Sequence, residues 1–352
     1  MIDLNRAYKN EQRKKLLLIS AVALVMLMAG YVFTTIGMKN IAPTQTLIAI
    51  TKAFNGTLDS GADAATNKVI MLLRLPRIIL AMLAGIGLAV SGAVMQSLTR
   101  NYLVSPFTLG ISSAAAFGAS MSIVFGVGMF FQSETGMISC AFAAACLCGC
   151  IVYGISRYVG LNPSSIVLVG IALNYLFSAM TATIEFFAKE HKLEAVVQWT
   201  FGSVNRATWD SVMITFLIVI IGFIILMLFS LKLNVMATNS DEMSQSLGIN
   251  ISEVRVICGM IAILLTSTII SFTGVIGFVG LIAPHIARLL IGDNHLYYLP
   301  FASVLGGVLL LFSDTIGKFI LYPVNIPVGI VISFLGVPLF VHLILMKKRG
   351  LE

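Results

Sequence analysis

The feature that most constrains this chain is the run from Ile78 to Leu98, more than twenty residues without one charged side chain. About twenty consecutive apolar residues are what a helix needs to cross the hydrocarbon core of a bilayer. The run is also rich in small residues: Ala81, Ala84, Gly85, Gly87, Ala89, Ser91, Gly92 and Ala93. Such residues let neighbouring membrane helices approach closely. Arg74 and Arg77 stand at its entrance around Leu75-Pro76, and a polar break, Thr99 to Pro106, ends it. A second apolar, small-residue segment follows at once. The stretch therefore reads as two closely packed membrane helices joined by a short loop.

The rest of the chain agrees with that solvent. Only 11% of the 352 residues are charged, against about 25% in a soluble domain. The mean hydropathy is +0.99. No polar block is long enough for a second domain, so residues 1–352 form one transmembrane domain. The apolar runs are long and unbroken, unlike the roughly ten-residue alternating segments of a barrel, and the expected class is all-α. A net charge of +7 could suggest nucleic acid on a soluble chain. Here the cations cluster beside spans and read as topology signals and anionic-lipid contacts. The five cysteines lie in apolar segments and read as small buried hydrophobes.

About ten spans are expected, with both termini inside, because Lys and Arg mark the cytoplasmic side. Residues 1–15 are a basic cytoplasmic lead, and Lys347-Lys348-Arg349 closes the chain. The spans are placed at Leu16–Gly37, Leu72–Leu98, Phe107–Val127, Gly136–Tyr158, Ser164–Phe187, Trp209–Leu231, Arg255–Phe272, Gly274–Leu290, Leu299–Ile320 and Ile326–Met346. The eighth is short and broken by Pro284. Lys39 to Asn67 is external, and Ala188 to Thr208 is an external stretch of helical character. Residues 233–254 form the one extended internal loop. Spans two to five and seven to ten look weakly alike, which hints at an inverted repeat.

Few residues carry chemistry. Arginines at a span centre cost about 2.5–3.5 kcal/mol each, so Arg74 and Arg77 belong at the outer mouth of span two. They either snorkel to headgroups or meet an anionic partner outside. In the internal loop, Ser240 or Asn239 suits an N-cap, Asp241 and Glu242 a first turn, and Gly248 a C-terminal stop. Met243 and Leu247 then share one face. A short amphipathic helix is expected there, either a connector lying on lipid or a helix docking into a groove of a cytoplasmic partner. Nothing has the spacing of a catalytic, phosphate-binding or metal site, so the chain is not expected to be an enzyme. Asp314, placed in the middle of span nine, is the one intramembrane acid. It is a functional candidate or a structural acceptor for Ser313 and Thr315. A single such acid supports an ion-coupled pump poorly, which puts the energy source on another chain.

Several motifs carry a resemblance. They are Arg74-Leu75-Pro76-Arg77, Ser91 to Gln96, Leu109-Gly110-Ile111-Ser112, Gly277 to Arg288, Ile326-Pro327-Val328-Gly329 and Leu335-Gly336-Val337-Pro338. Together they resemble the FecCD-type permeases of bacterial ABC importers for iron-siderophores, haem and vitamin B12, over essentially the whole chain. The resemblance implies a multi-pass subunit of the bacterial inner membrane that moves an iron(III) chelate inward. A haem or cobalamin importer is the alternative within the family, and an ion-coupled secondary transporter the alternative outside it. It also implies a second permease subunit, an external substrate-binding protein and two cytoplasmic ATPase subunits that hold ATP and Mg, with no cofactor on this chain.

Roles carry over by position. Arg74, Arg77 and Lys318 match the cations that receive acids of the binding protein. Lys318 stands where the family has arginine, which keeps the charge but loses the bidentate fork. Asp241, Glu242, Ser244, Gln245, Leu247 and Gly248 match the loop that docks the ATPase. Asn101 and Leu103, with Asn162 and Pro163, match the two inner loops of the cytoplasmic gate, the second pair departing from the hydroxyl residues of the B12 importer. The fifth span matches the one lining the pathway at the dimer axis.

Overall fold

The computed structural model describes residues 2–36, 41–57, 63–126, 134–321 and 324–348. The end of the first expected span (Gly37), parts of the expected outer loop (39–40 and 58–62), the end of the third span (Val127) and the closing Arg349 lie outside them. Among the described residues every regular element is a helix. They are α1 (Ile2–Thr35), α2 (Pro43–Phe54), α3 (Ala64–Val69), α4 (Leu75–Thr99), α5 (Ile111–Phe125), α6 (Glu134–Tyr158), α7 (Pro163–Phe187) and α8 (Glu190–Thr200). After these come α9 (Trp209–Leu228), α10 (Ser230–Thr238), α11 (Asp241–Ser246), α12 (Ile251–Thr273), α13 (Val279–Ile291), α14 (His295–Phe319) and α15 (Val328–Lys348).

Among the described residues seven helices are long and apolar enough to cross a membrane, and three shorter apolar ones join them. Each expected span therefore coincides with a helix, but α5 and α13 are short. The fifteen residues of α5 reach about 22 Å at 1.5 Å per residue, less than the ~30 Å core.

Helix α4 is the central pillar, buried along almost all of its length. It packs most extensively on α14, and next on α12 and α13. The small-residue stripe is the reason. A methyl group added at Gly85 would sit 2.2 Å from the Gly306 carbonyl oxygen of α14, and one at Gly92 would sit 1.7 Å from the Gly280 carbonyl oxygen of α13. Backbones this close leave no room for any side chain. Pro284, which cannot donate to the Gly280 carbonyl four residues earlier, leaves that oxygen to face α4.

Three boundaries differ from the sequence expectation. The arginine motif does not begin its helix. Residues Ile70–Arg74 form a π-helical turn that joins α3 to α4, so a continuous helical rod runs from Ala64 to Thr99. Pro76 explains the wider turn: its missing N–H and its ring disrupt the regular α ladder one turn upstream. The eighth span does not start at Gly274. Gly274 (φ 70°) and Phe278 (φ 63°) turn the chain first, and α13 begins at Val279. Pro284 then lies inside α13 without ending it. The third span starts at Ile111, because turns occupy the chain from Tyr102 to Gly110.

Candidate functional site

The candidate residues fall at the two ends of the α4 rod. At the end carrying Pro76, the Arg77 guanidinium grips Asp314 with a fork: Nη2 donates to Oδ1 at 2.8 Å and Nε to Oδ2 at 3.0 Å. Lys318 Nζ, one turn along α14, also reaches Oδ2, at 2.9 Å. Arg74 Nη1 donates to the Thr34 carbonyl at 2.7 Å, tying the end of α1 to the same patch. Two cations thus share one carboxylate, with Arg74 held beside them by the Thr34 carbonyl. The Asp314 side chain is 3% exposed, while Arg77 and Lys318 keep 15% and 16%.

Asp314 is therefore not a mid-span acid. It lies in the last turns of α14, and its partners are Arg77 and Lys318 rather than Ser313 and Thr315. Thr315 instead donates to the Leu311 carbonyl. Sequence reasoning missed this pair because 237 positions separate its members. The i, i+4 spacing of Asp314 and Lys318 was the one local signal available.

The opposite end holds the inner-loop candidates. Ser240 caps α11, its hydroxyl accepting from the Met243 N–H at 3.2 Å. The helix closes as expected on Gly248 (φ 82°). The Ile249 N–H donates to the Ser244 carbonyl and the Gly248 N–H to the Gln245 carbonyl, the paired bonds of a Schellman stop. The short helix splits into two faces. Ser244 is fully buried, and Asp241 turns inward onto two arginines. Glu242, Gln245 and Gly248 are exposed, with Met243 at 53% and Leu247 at 58%. The outward face therefore carries two large apolar side chains among polar ones, whereas Asp241 and Ser244, both expected to dock, belong to the inward one.

Asp241 is doubly held. Arg255 donates to it twice, each bond 2.9 Å, and Arg100 Nη2 once at 2.6 Å. Partial burial alone would raise this carboxyl, but the bonds and charges of Arg255 and Arg100 keep it below the ordinary carboxylate range.

The two inner loops use their polar residues locally. Asn101 Oδ1 accepts from the Leu103 N–H at 3.0 Å, making a turn of its own backbone. Asn162 Oδ1 accepts from the Ser165 N–H at 2.7 Å, and Pro163 takes the first position of α7. Asn162 is thus the N-cap of α7, and Pro163 the usual residue after a cap. Leu103 remains 53% exposed. Between them Tyr102 lies under the Arg288 guanidinium, 3.9 Å from its ring centre, a cation–π contact that fixes this loop against α13.

Helix α7 presents a wide unburied face that includes Leu168, Tyr175 and Leu176. Beside it, Ser112, Ser113, Ser178 and Glu185 line a cavity of about 240 Å³ between α5 and α7. Among the described residues no three His, Cys, Asp or Glu side chains converge as a metal ion would require.

Residues 15–347 match the FecCD transport family. The chain is 35% identical to the Fe(3+)-citrate import system permease protein YfmD of Bacillus subtilis, over 81% of this chain and 83% of that one. It is 32% identical to the hemin transport system permease of Yersinia pestis, over 86% and 90%. A solved inward-facing structure, described as a metal-chelate type ABC transporter, superposes with a TM-score of 0.81 at 28% identity, covering 93% of this chain and 98% of that one.

Proposed function

The chain belongs to the FecCD transport family, and from that premise we propose that it is the membrane-spanning permease subunit of an ATP-driven importer carrying an iron(III) chelate into the cytoplasm. The observation that carries this reading is the unbroken family match from residue 15 to 347. Relatives named for iron citrate, iron hydroxamate and haem support a metal chelate as cargo. In this reading the chain crosses the inner membrane ten times with both ends cytoplasmic, and its two halves are inverted repeats. It pairs with a second permease along the open face of α7. An external binding protein docks at Arg74, Arg77 and Lys318. Two cytoplasmic ATPases hold ATP and Mg and dock on Glu242, Gln245, Leu247 and Gly248 with Met243. The inner gate forms at the loops of Asn101–Leu103 and Asn162–Pro163, with Leu103 its exposed apolar member.

An ion-coupled pump draws no support from the site. The acid it would use, Asp314, is committed to Arg77 and Lys318 at the end of a span. In this reading ATP hydrolysis is left to the partner subunits.

The cargo is tested by uptake into proteoliposomes holding the assembled transporter, with radio-iron citrate, radio-iron hydroxamate, haem and cobalamin in parallel. One of the two iron chelates is expected to accumulate with ATP and its binding protein. Accumulation of cobalamin or haem alone would reassign the cargo within the family.

A further inference from the structure

Asp241 connects more than the short helix that carries it. Through Arg100, the residue that caps α4 after Thr99, it reaches the end of that helix, and Arg100 also donates from Nε to the Met236 carbonyl of α10 at 2.8 Å. Arg100 is the residue immediately before the inner loop at Asn101–Leu103. Through Arg255 it reaches the other inner loop, because Arg255 Nη1 also donates to the Leu161 carbonyl at 3.0 Å. Leu161 immediately precedes Asn162–Pro163. One carboxylate and two guanidiniums therefore join α11 to the chain entering both loops, and Arg255 does so from a side chain 4% exposed.

A second observation points to the same junctions. Among the described residues three non-glycine residues have positive φ, and two of them are Arg100 (48°) and Leu161 (48°). Left-handed backbone is unfavourable for a residue with a Cβ and persists where surrounding contacts over-determine it. Glycine would fill each turn without strain. At position 100 glycine would remove the guanidinium that holds Asp241. At position 161 it would remove a leucine side chain that is almost fully buried.

We propose that Asp241 is a positioning residue for transport: with Arg100 and Arg255 it locks the ATPase-docking helix to both inner loops, so that a nucleotide-driven shift of α11 moves the two loops as one body. The proposal rests on the docking reading given above and adds the route by which docking reaches the inner mouth. A carboxylate held by three charge-assisted hydrogen bonds is a stiff joint. An exposed helix tethered by backbone alone would not be.

The test uses the assembled transporter carrying Leu103→Cys, labelled from the inner side with a membrane-impermeant maleimide. Labelling is compared with and without ATP plus vanadate. In the parent, nucleotide is expected to change the labelling rate at this position, and an unchanged rate there would itself overturn the proposal. Asp241→Asn should keep the ATPase subunit bound and ATP hydrolysis running, yet shrink the nucleotide-dependent change by about tenfold, a typical size for coupling between sites. Arg100→Gln, which alters a more exposed partner, should shrink it too, and Arg100→Lys should restore part. A purely structural role would lower the melting temperature and leave the nucleotide response intact.

Should Asp241→Asn fail to assemble, Arg100→Gln decides alone. A full nucleotide response in Arg100→Gln, and in Asp241→Asn where it assembles, overturns the proposal while the docking reading stands. Retention of the ATPase by Leu247→Asp overturns the docking reading itself.

Discussion

Arg77 and Lys318 share one buried carboxylate, and this decides how the cationic end of α4 responds to mutation. Replacing Asp314 with Asn leaves Arg77 and Lys318 without a counter-charge in a largely buried site. Breaking a buried pair this way costs about 3 kcal/mol or more, and a lower melting temperature in detergent would report it. Arg77→Glu should fail more severely, because it sets a second carboxylate against Asp314. The docking test therefore belongs at Arg74, whose guanidinium donates to the neutral Thr34 carbonyl. Arg74→Glu should insert normally and weaken binding of the external partner by about tenfold, near the low end for close charge pairs. The salt dependence of binding should flatten as well. Wild-type affinity with an unchanged salt slope would make Arg74 a lipid anchor. Lys318→Arg should be tolerated, since its fork can still reach Asp314. The arginine motif was legible in the sequence as a charged mouth. Its internal acid was not, because no local pattern links residues 237 positions apart.

Helix α11 was legible almost whole, since a cap, an apolar pair and a stopping glycine are all local signals. What the sequence could not show was which side faces the protein, because Arg100 and Arg255 arrive from distant elements. Leu247→Asp places a charge on the outward apolar face and should release the ATPase while leaving the chain inserted, as co-purification would show. The Asp241 junction also has a defined pH response. Its carboxyl is held low, so its contribution is full above the unfolded value and fades only as pH falls through the lower folded value. The ratio of uptake to ATP hydrolysis should therefore be flat from about pH 8 to about pH 5 as far as this group is concerned. At the pillar, Gly92→Ala must push α4 from α13 and should cost about 1–3 kcal/mol. Gly154→Ala in α6 meets nothing within 4 Å and should be neutral or stabilise by up to about 1 kcal/mol. Equal melting temperatures for the two variants would contradict the packing account. The small-residue stripe announced close packing, but its partners on α13 and α14 depend on tertiary contact. The delayed start of α13 escaped for a related reason: the apolar run 274–290 gives no sign that Phe278 takes a positive φ.

At the scale of the whole molecule, α4 is one rod with a cationic cluster at its Pro76 end and the α11 junction at its other. Composition alone fixed the solvent and the helical class, because no soluble core explains so few charges. The number of crossings is less plain, since α5 and α13 are shorter than a full span. A single cysteine introduced near either terminus should react with impermeant reagent only after the cells are opened, and labelling of intact cells would reverse the topology. The central claim is that ATP on partner subunits drives chelate through this chain. It is tested by uptake of the transported iron chelate into proteoliposomes holding the assembled transporter and supplied with the binding protein, energised either by ATP alone or by a proton or sodium gradient alone. The account predicts accumulation with ATP and none with either gradient. Accumulation driven by a gradient without ATP would contradict it.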